Sequence, residues 1–242
     1  MAEPEKHSEL QSAVEDVVGF NFRSLKTLRD LFVRPNTVFR SYAARDRVTY
    51  TPALRLWAGV LGISVLVSAL WGGWPGIMRR QIESLDPNTR AIYVELSQGR
   101  MDEFIGHYGD AMNVLHPIVV GLFTLLSIFA LKAFNNDLPW TARLNIAMGI
   151  LTVGSLIGLL LMPFYMLTEH EALRTFGTSA LIAAAYMITF VRGAPGVLAR
   201  GAAGAWAKGA GFALLLLLLM ALAGMVLGII TTLYAWYRIE ST

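Results

Sequence analysis

The chain has 242 residues, 55% of them hydrophobic and only 15% charged, with a mean hydropathy of +0.52 and a formal charge of +3. That is too little charge to cover a water-soluble fold of this length, in which about a quarter of residues are charged. The lack of cysteine excludes disulfides, thiolate metal sites, iron–sulfur clusters and a cysteine nucleophile.

Residues 1–13 are polar and read as a disordered tail, without the basic start and short apolar core of a cleaved signal peptide. From Val14 to Val33 apolar residues recur at helical spacing (Val14, Val17, Val18, Leu25, Leu28, Leu31, Phe32), with Arg23, Lys26, Arg29 and Asp30 on much of the remaining perimeter. The pattern predicts an amphipathic helix, either lying on the inner membrane surface or packed on the ends of the spans. Arg34-Pro35 should break it, and a second short helix is expected over Asn36–Ala44. Residues 14–52 thus form a basic juxtamembrane region. Its end, Thr51-Pro52, has the form of a helix start, with threonine as cap and proline at the first helical position.

Five apolar segments follow within residues 53–242, near 53–71, 114–134, 144–167, 173–191 and 211–234. About 20 helical residues cross a bilayer core of roughly 30 Å. The expected fold is therefore all-α, a polytopic membrane bundle of five transmembrane helices. If the N-terminus is inside, fourteen of the 20 Lys and Arg residues fall on the inner side. The outer side then holds only Arg79, Arg80, Arg90, Arg100, Arg174 and Arg238. Positive charge is retained on the cytoplasmic side, so a cytoplasmic N-terminus and an external C-terminus are expected. The connection from Gly72 to Asn113 should carry short interfacial helices, the first capped at Asp86-Pro87. Gly193–Ala210, rich in Gly and Ala, should be a flexible loop.

Few residues invite chemistry. Arg29, Arg34, Arg40, Arg45 and Arg47, with Tyr42 and Tyr50 between them, are candidates for binding anionic lipid heads or a partner. Gly154 and Gly158, then Gly224 and Gly228, are GxxxG pairs that let helix backbones approach, within this bundle or against another subunit. Pro163 should kink its span. His116, Glu169, His170 and Glu171 fall at outer span ends, and His with carboxylate could hold a divalent metal or, as a His pair, haem. No HExxH, GxSxG or nucleotide-binding glycine loop supports catalysis, so no cofactor is predicted.

Leu28–Pro52 reads as LRDLxxRP, then RxY, then RxxYxP, carried by Leu28, Arg29, Asp30, Leu31, Arg34, Pro35, Arg40, Tyr42, Arg47, Tyr50 and Pro52. It resembles a family of bacterial multi-span membrane proteins of unknown function that share such a juxtamembrane signature. The likeness extends loosely to His116-Pro117. At the third span, where it implies a histidine-bearing stretch, this chain has Arg143-Leu144-Asn145. The resemblance implies a membrane architecture in the bacterial inner membrane and no particular activity.

The function expected from these features is non-catalytic: an inner-membrane accessory or scaffold protein that associates with another membrane complex, with itself or with anionic lipid, and not with nucleic acid. The alternatives are a carrier or channel for a neutral or lipid-like molecule, and a membrane enzyme or cofactor subunit using the outer-face histidines.

Overall fold

Two prolines set the first boundaries. In the computed structural model, which describes residues 22–46, 48–167 and 176–241, α1 (Phe22–Val33) ends one residue before Arg34. Arg34, displaced from helical geometry by the following proline, has φ −137° and ψ 55°. Pro35 then opens α2 (Pro35–Ala43). The remaining helices are α3 (Ala53–Ala69), α4 (Gly73–Ser84), α5 (Pro87–Leu96), α6 (Met101–Phe134), α7 (Trp140–Leu167), α8 (Thr178–Gly193) and α9 (Ala202–Glu240). The other described residues are turns, bends and irregular stretches, with a π-helical turn at Phe176 and Gly177 and one isolated bridge between Pro195 and Ala199.

Helices α6, α7 and α9 are long and apolar enough to cross a membrane. The pair α3 and α4 meets that requirement only together, bent by 63° at the break between them. Helix α8 has 16 residues, which at the helical rise gives about 24 Å against a core of about 30 Å. Three helices, or four with the bent pair, thus satisfy the length and composition that five segments were expected to satisfy.

Other boundaries also moved. The stretch from Met101 is no separate interfacial helix but the first turns of α6, because nothing between it and Val114 interrupts the helical hydrogen bonding. Gly193–Ala210 is mostly not a loop: α9 starts at Ala202, and residues 194–201 fold as a tight turn. There the N–H groups of Val197, Leu198 and Ala199 all donate to Ala194 O, and Gly196 takes φ 73°, a conformation that favours glycine. Val197, Leu198 and Ala199 are buried, so the Gly/Ala composition here reflects tight packing. Pro163 lies inside α7, which is described up to Leu167.

The contacts divide the chain into two units, with α3, α6 and α9 each contributing a part to both. The first unit draws on Met1–Gly62 and Ser127–Leu217. In it α7 and α8 pack through Gly154, where an added Cβ would overlap Cε1 of the buried Tyr186 ring. Phe134, Phe190 and Phe212 stack in series with centroids 5.7 and 5.3 Å apart, joining α6, α8 and α9. Gly193 stands so close to Phe39 that α2 rests directly on the end of α8.

The second unit draws on Ile63–Leu126 and Leu218–Thr242. Its core joins Met78, Ile82, Phe104, Ile105, Ala235 and Ile239, with Tyr93 and Tyr108 packed against them. The break before α4 is made by Gly72 and Gly73 at φ 83° and 60°, and Arg80 donates to Trp71 O there at 3.0 Å. Asp86 caps α5 as expected, its carboxylate accepting from the N–H of Asn88 and Thr89.

The two GxxxG pairs differ. Gly154 is filled against Tyr186 and Gly158 stands at ordinary contact with Ile182, whereas Gly224 and Gly228 face open space in this chain. Gly154→Ala should therefore overpack the α7–α8 contact and cost about 1–3 kcal/mol. Gly224→Ala should be neutral or gain up to about 1 kcal/mol of helix propensity. Thermal melting of the two variants in detergent checks this ordering.

Candidate juxtamembrane site

Between Asp16 and Asp46 the sequence contains a single carboxylate, Asp30, amid five arginines and a lysine. Helix α1 turns it inward, and its side chain is 0% exposed. A buried carboxylate must be compensated, and three groups from separate points of the chain do so. Arg29 reaches Oδ1 through Nε at 3.0 Å and Nη2 at 2.9 Å, and Arg34 Nη2 through 3.2 Å. The Tyr50 hydroxyl donates to Oδ2 at 2.9 Å. Burial alone would raise the Asp30 pKa; the hydrogen bonds from Arg29, Tyr50 and Arg34 outweigh it and hold the group below the usual carboxylate range. The Tyr50 phenol is pushed up by burial and by its bond to Asp30.

Below this centre a second set of bonds joins α1 to the start of α3. Thr27 Oγ1 accepts from the Thr51 N–H at 3.0 Å and donates to Arg23 O at 2.6 Å. Ser24 Oγ lies 3.3 Å from Thr51 Oγ1, and the buried Tyr42 hydroxyl donates to Thr51 O at 2.8 Å. Thr51 is thus held through its N–H, its carbonyl and its hydroxyl. The expected cap of α3 is supplied differently: the Ala53 N–H donates to Asn145 Oδ1 of α7 at 2.8 Å. Leu31, fully buried, lies against Gly149 one turn further along α7.

Other bonds fasten α1 and α2 to α8 and the turn after it. Arg192 donates to Phe32 O and Val33 O at 2.8 and 2.6 Å, satisfying the last carbonyls of α1. Asn36 Nδ2 donates to Gly193 O and Pro195 O. Asn135 closes the end of α6 onto Val197 O, and Lys208 Nζ bridges Phe134 O and Leu198 O at 2.9 and 2.7 Å. The result is a platform of α1 and α2 laid across the starts of α3 and α7 and the end of α8. The turn to α9 closes beside it.

Most of the anticipated lipid-facing set therefore has a structural task. Tyr42 and Tyr50 are buried and reach no outer surface. Arg29 and Arg34 divide their roles, since each holds Asp30 while its side chain remains 62% and 57% exposed. Arg40 and Arg45 are exposed, Arg45 with φ 57° in the turn that leaves α2. Asp46 secures that turn, its pKa drawn down to about 2 by hydrogen bonds from the Thr49 side chain and from the Val48 and Thr49 N–H groups. Arg47 lies outside the described residues.

The two sides of α1 are unlike, and the buried one is largely polar. Its buried side is Ser24, Thr27, Asp30 and Leu31, while Leu25 and Phe32 are exposed on the other side. Val14, Val17 and Val18 lie outside the described residues, as does the tail at 1–13. The inward turn of the polar residues follows from the hydrogen-bonding groups of residues 50 and 51, which no periodicity on α1 alone could indicate.

Of the expected metal set, only His116 is among the described residues. Glu169, His170 and Glu171 lie outside the described residues, and His116 packs its ring 4.7 Å from Trp74. Among the described residues no three His, Asp or Glu side chains come together at a metal-binding distance. Asn145, Arg192, Asn36 and Lys208 were missed by sequence reasoning. The legible signal was Asp30 itself, a lone carboxylate in a run of cations.

If this network holds the platform, its two sides should respond differently. Asp30→Ala leaves the buried Tyr50 hydroxyl without its acceptor and should cost about 1–3 kcal/mol, since the guanidinium groups of Arg29 and Arg34 can rehydrate. The double variant Arg29→Gln/Arg34→Gln strands a buried charge and should cost more, about 3–5 kcal/mol. In the wild type the folded pKa of Asp30 is depressed, so its stabilisation is present above the unfolded value of about 3.9 and lost as pH falls through the folded pKa. In the double variant the folded pKa should rise above the unfolded one, and lowering the pH toward 5 should then restore stability. Melting curves across pH, with Asp30→Asn added to the double variant as reference, check the change of sign.

Residues 23–65 are similar to the family described as Protein of unknown function (DUF3667). This span takes in Asp30, its three partners, the bonds to Thr51 and the first turns of α3. No curated protein and no solved structure matches the chain.

Proposed function

We propose that this chain is a non-catalytic integral protein of the bacterial inner membrane, an accessory or scaffold subunit that presents a rigid platform to lipid or to another membrane complex. The observation that carries this reading is the platform itself. A dense set of polar bonds is directed at joining helix ends. In the first unit the start of α3, the end of α6, the start of α7, the end of α8 and the start of α9 all contribute, an alternation that supports five crossings with the short α8 among them. The same ends carry Lys132, Arg143, Arg192, Arg200 and Lys208 beside the basic N-terminal region. Positive charge gathered at one side of the spans supports a cytoplasmic N-terminus and an external C-terminus.

One observation favours a carrier as second reading. The 63° break between α3 and α4 interrupts an apolar stretch, and broken helices at membrane depth often line binding sites. Against it, the break is already filled in part by Arg80 on Trp71 O and by Pro75 packed beside Gly109.

Purification from native membranes in mild detergent, with mass spectrometry of the co-purifying species, separates the two. A partner complex or anionic lipid at fixed stoichiometry is expected, and Arg29→Gln/Arg34→Gln should lose it. Recovery of the chain alone, with solute flux in liposomes containing only this protein, would replace the scaffold reading by the carrier.

A further inference from the structure

The outer side of α1 is at odds with a surface that meets only water. Phe22, Leu25, Phe32 and Val33 are 73%, 56%, 38% and 56% exposed. At 100° per residue they fall within an arc of roughly 100° on one side of the helix. Lys26 and Arg29 are exposed on the same side, and Arg34 follows just beyond its end. The opposite side is fastened through Ser24, Thr27 and Asp30 to Tyr50 and Thr51. Those two residues immediately precede α3, so the depth of α1 is fixed at the level where that apolar helix begins.

We propose that the outward side of α1 is a preformed interfacial anchor that seats in the headgroup zone of an anionic leaflet, its apolar side chains reaching the acyl boundary and Lys26, Arg29 and Arg34 meeting lipid phosphates. Two observations choose lipid as the occupant. Large apolar side chains alternate with cations, which suits the boundary between acyl chains and anionic heads. The helix is also bonded to the first residues of an apolar segment, which places that boundary beside it. Arg29 and Arg34 already spend part of their hydrogen-bonding capacity on Asp30, which fixes their guanidinium groups at the helix surface. The anchor is thus ordered before lipid arrives. The inference rests on the membrane reading of the chain and adds to it the lipid class and the face that binds.

The absence of native cysteine makes the test direct. Full-length Leu25→Cys, carrying a nitrobenzoxadiazole label, is reconstituted in vesicles of phosphatidylcholine with phosphatidylglycerol. Either lipid in turn carries a nitroxide high on its acyl chain. Leu214→Cys, exposed on α9, serves as the reference within an apolar helix. The label at position 25 should be quenched severalfold more by the nitroxide phosphatidylglycerol than by the phosphatidylcholine, with the difference narrowing at high salt. The label at position 214 should be quenched by both alike. Quenching at 214 and none at 25 overturns the anchor and leaves the membrane reading standing, while no quenching at either site overturns the membrane reading itself. Equal quenching at 25 by the two lipids overturns the anionic preference. Quenching at 25 that appears only after residues 1–21 are deleted shows the face to be covered by the chain's own N-terminal segment, and overturns the proposal too.

Discussion

The juxtamembrane structure depends on keeping one carboxylate charged out of water. Asp30 is fully buried, and a buried charge is tolerated only when compensated on nearly every side. Its partners come from α1 itself, from the residue that breaks α1 from α2, and from the segment leading into α3. Satisfying that single group therefore fixes three pieces of chain at once. Exposed ion pairs of the same composition, such as Arg79 with Asp102, contribute at most about 1 kcal/mol and organise little. What gives the Asp30 cluster its leverage is the asymmetry between an inaccessible acid and half-exposed bases.

The polarity of α1 follows from the same requirement. Ser24, Thr27 and Asp30 must face Tyr50 and Thr51, so Phe22, Leu25, Phe32 and Val33 are left outside. In a soluble protein this arrangement would be unfavourable, since it exposes large side chains in exchange for polar contacts. At the lipid interface proposed for this helix the exchange would be reversed, because the neighbouring medium would itself be partly apolar. The exposed apolar side of α1 and the long apolar helices of the chain are thus mutually consistent.

The long helices of the first unit are held by different means. Where α7 meets α8 the contact is a glycine against a tyrosine ring, and where α6, α8 and α9 meet it is a series of phenylalanines. At their ends polar groups take over, as with Arg192 on the α1 carbonyls, Lys208 on Phe134 O and Asn145 on the Ala53 N–H. Association of helices through small residues and close packing suits a medium in which burying apolar surface gains little. Polar bonds at the ends suit the boundary, where backbone groups left over by each helix need partners.

The sequence by itself determined the helical class, the apolar segments and the breaks at Arg34-Pro35 and Asp86-Pro87, because these depend on local backbone chemistry and on runs of hydrophobic residues. It also marked the basic stretch from Leu28 to Pro52, the region that matches a family of unknown function. Only the tertiary structure decided which way that stretch faces. Tyr42 and Tyr50 read equally well as lipid contacts until their hydroxyls are seen to meet Thr51 O and Asp30. The Gly/Ala run at 193–210 read as flexible until Gly193 was seen against Phe39 of α2 and Gly209 against Phe190 and Val191 of α8, and Asn145 looked like a departure from pattern until it capped α3. Each of these depends on a partner more than eight residues away, and such a partner leaves no trace in the spacing of neighbours.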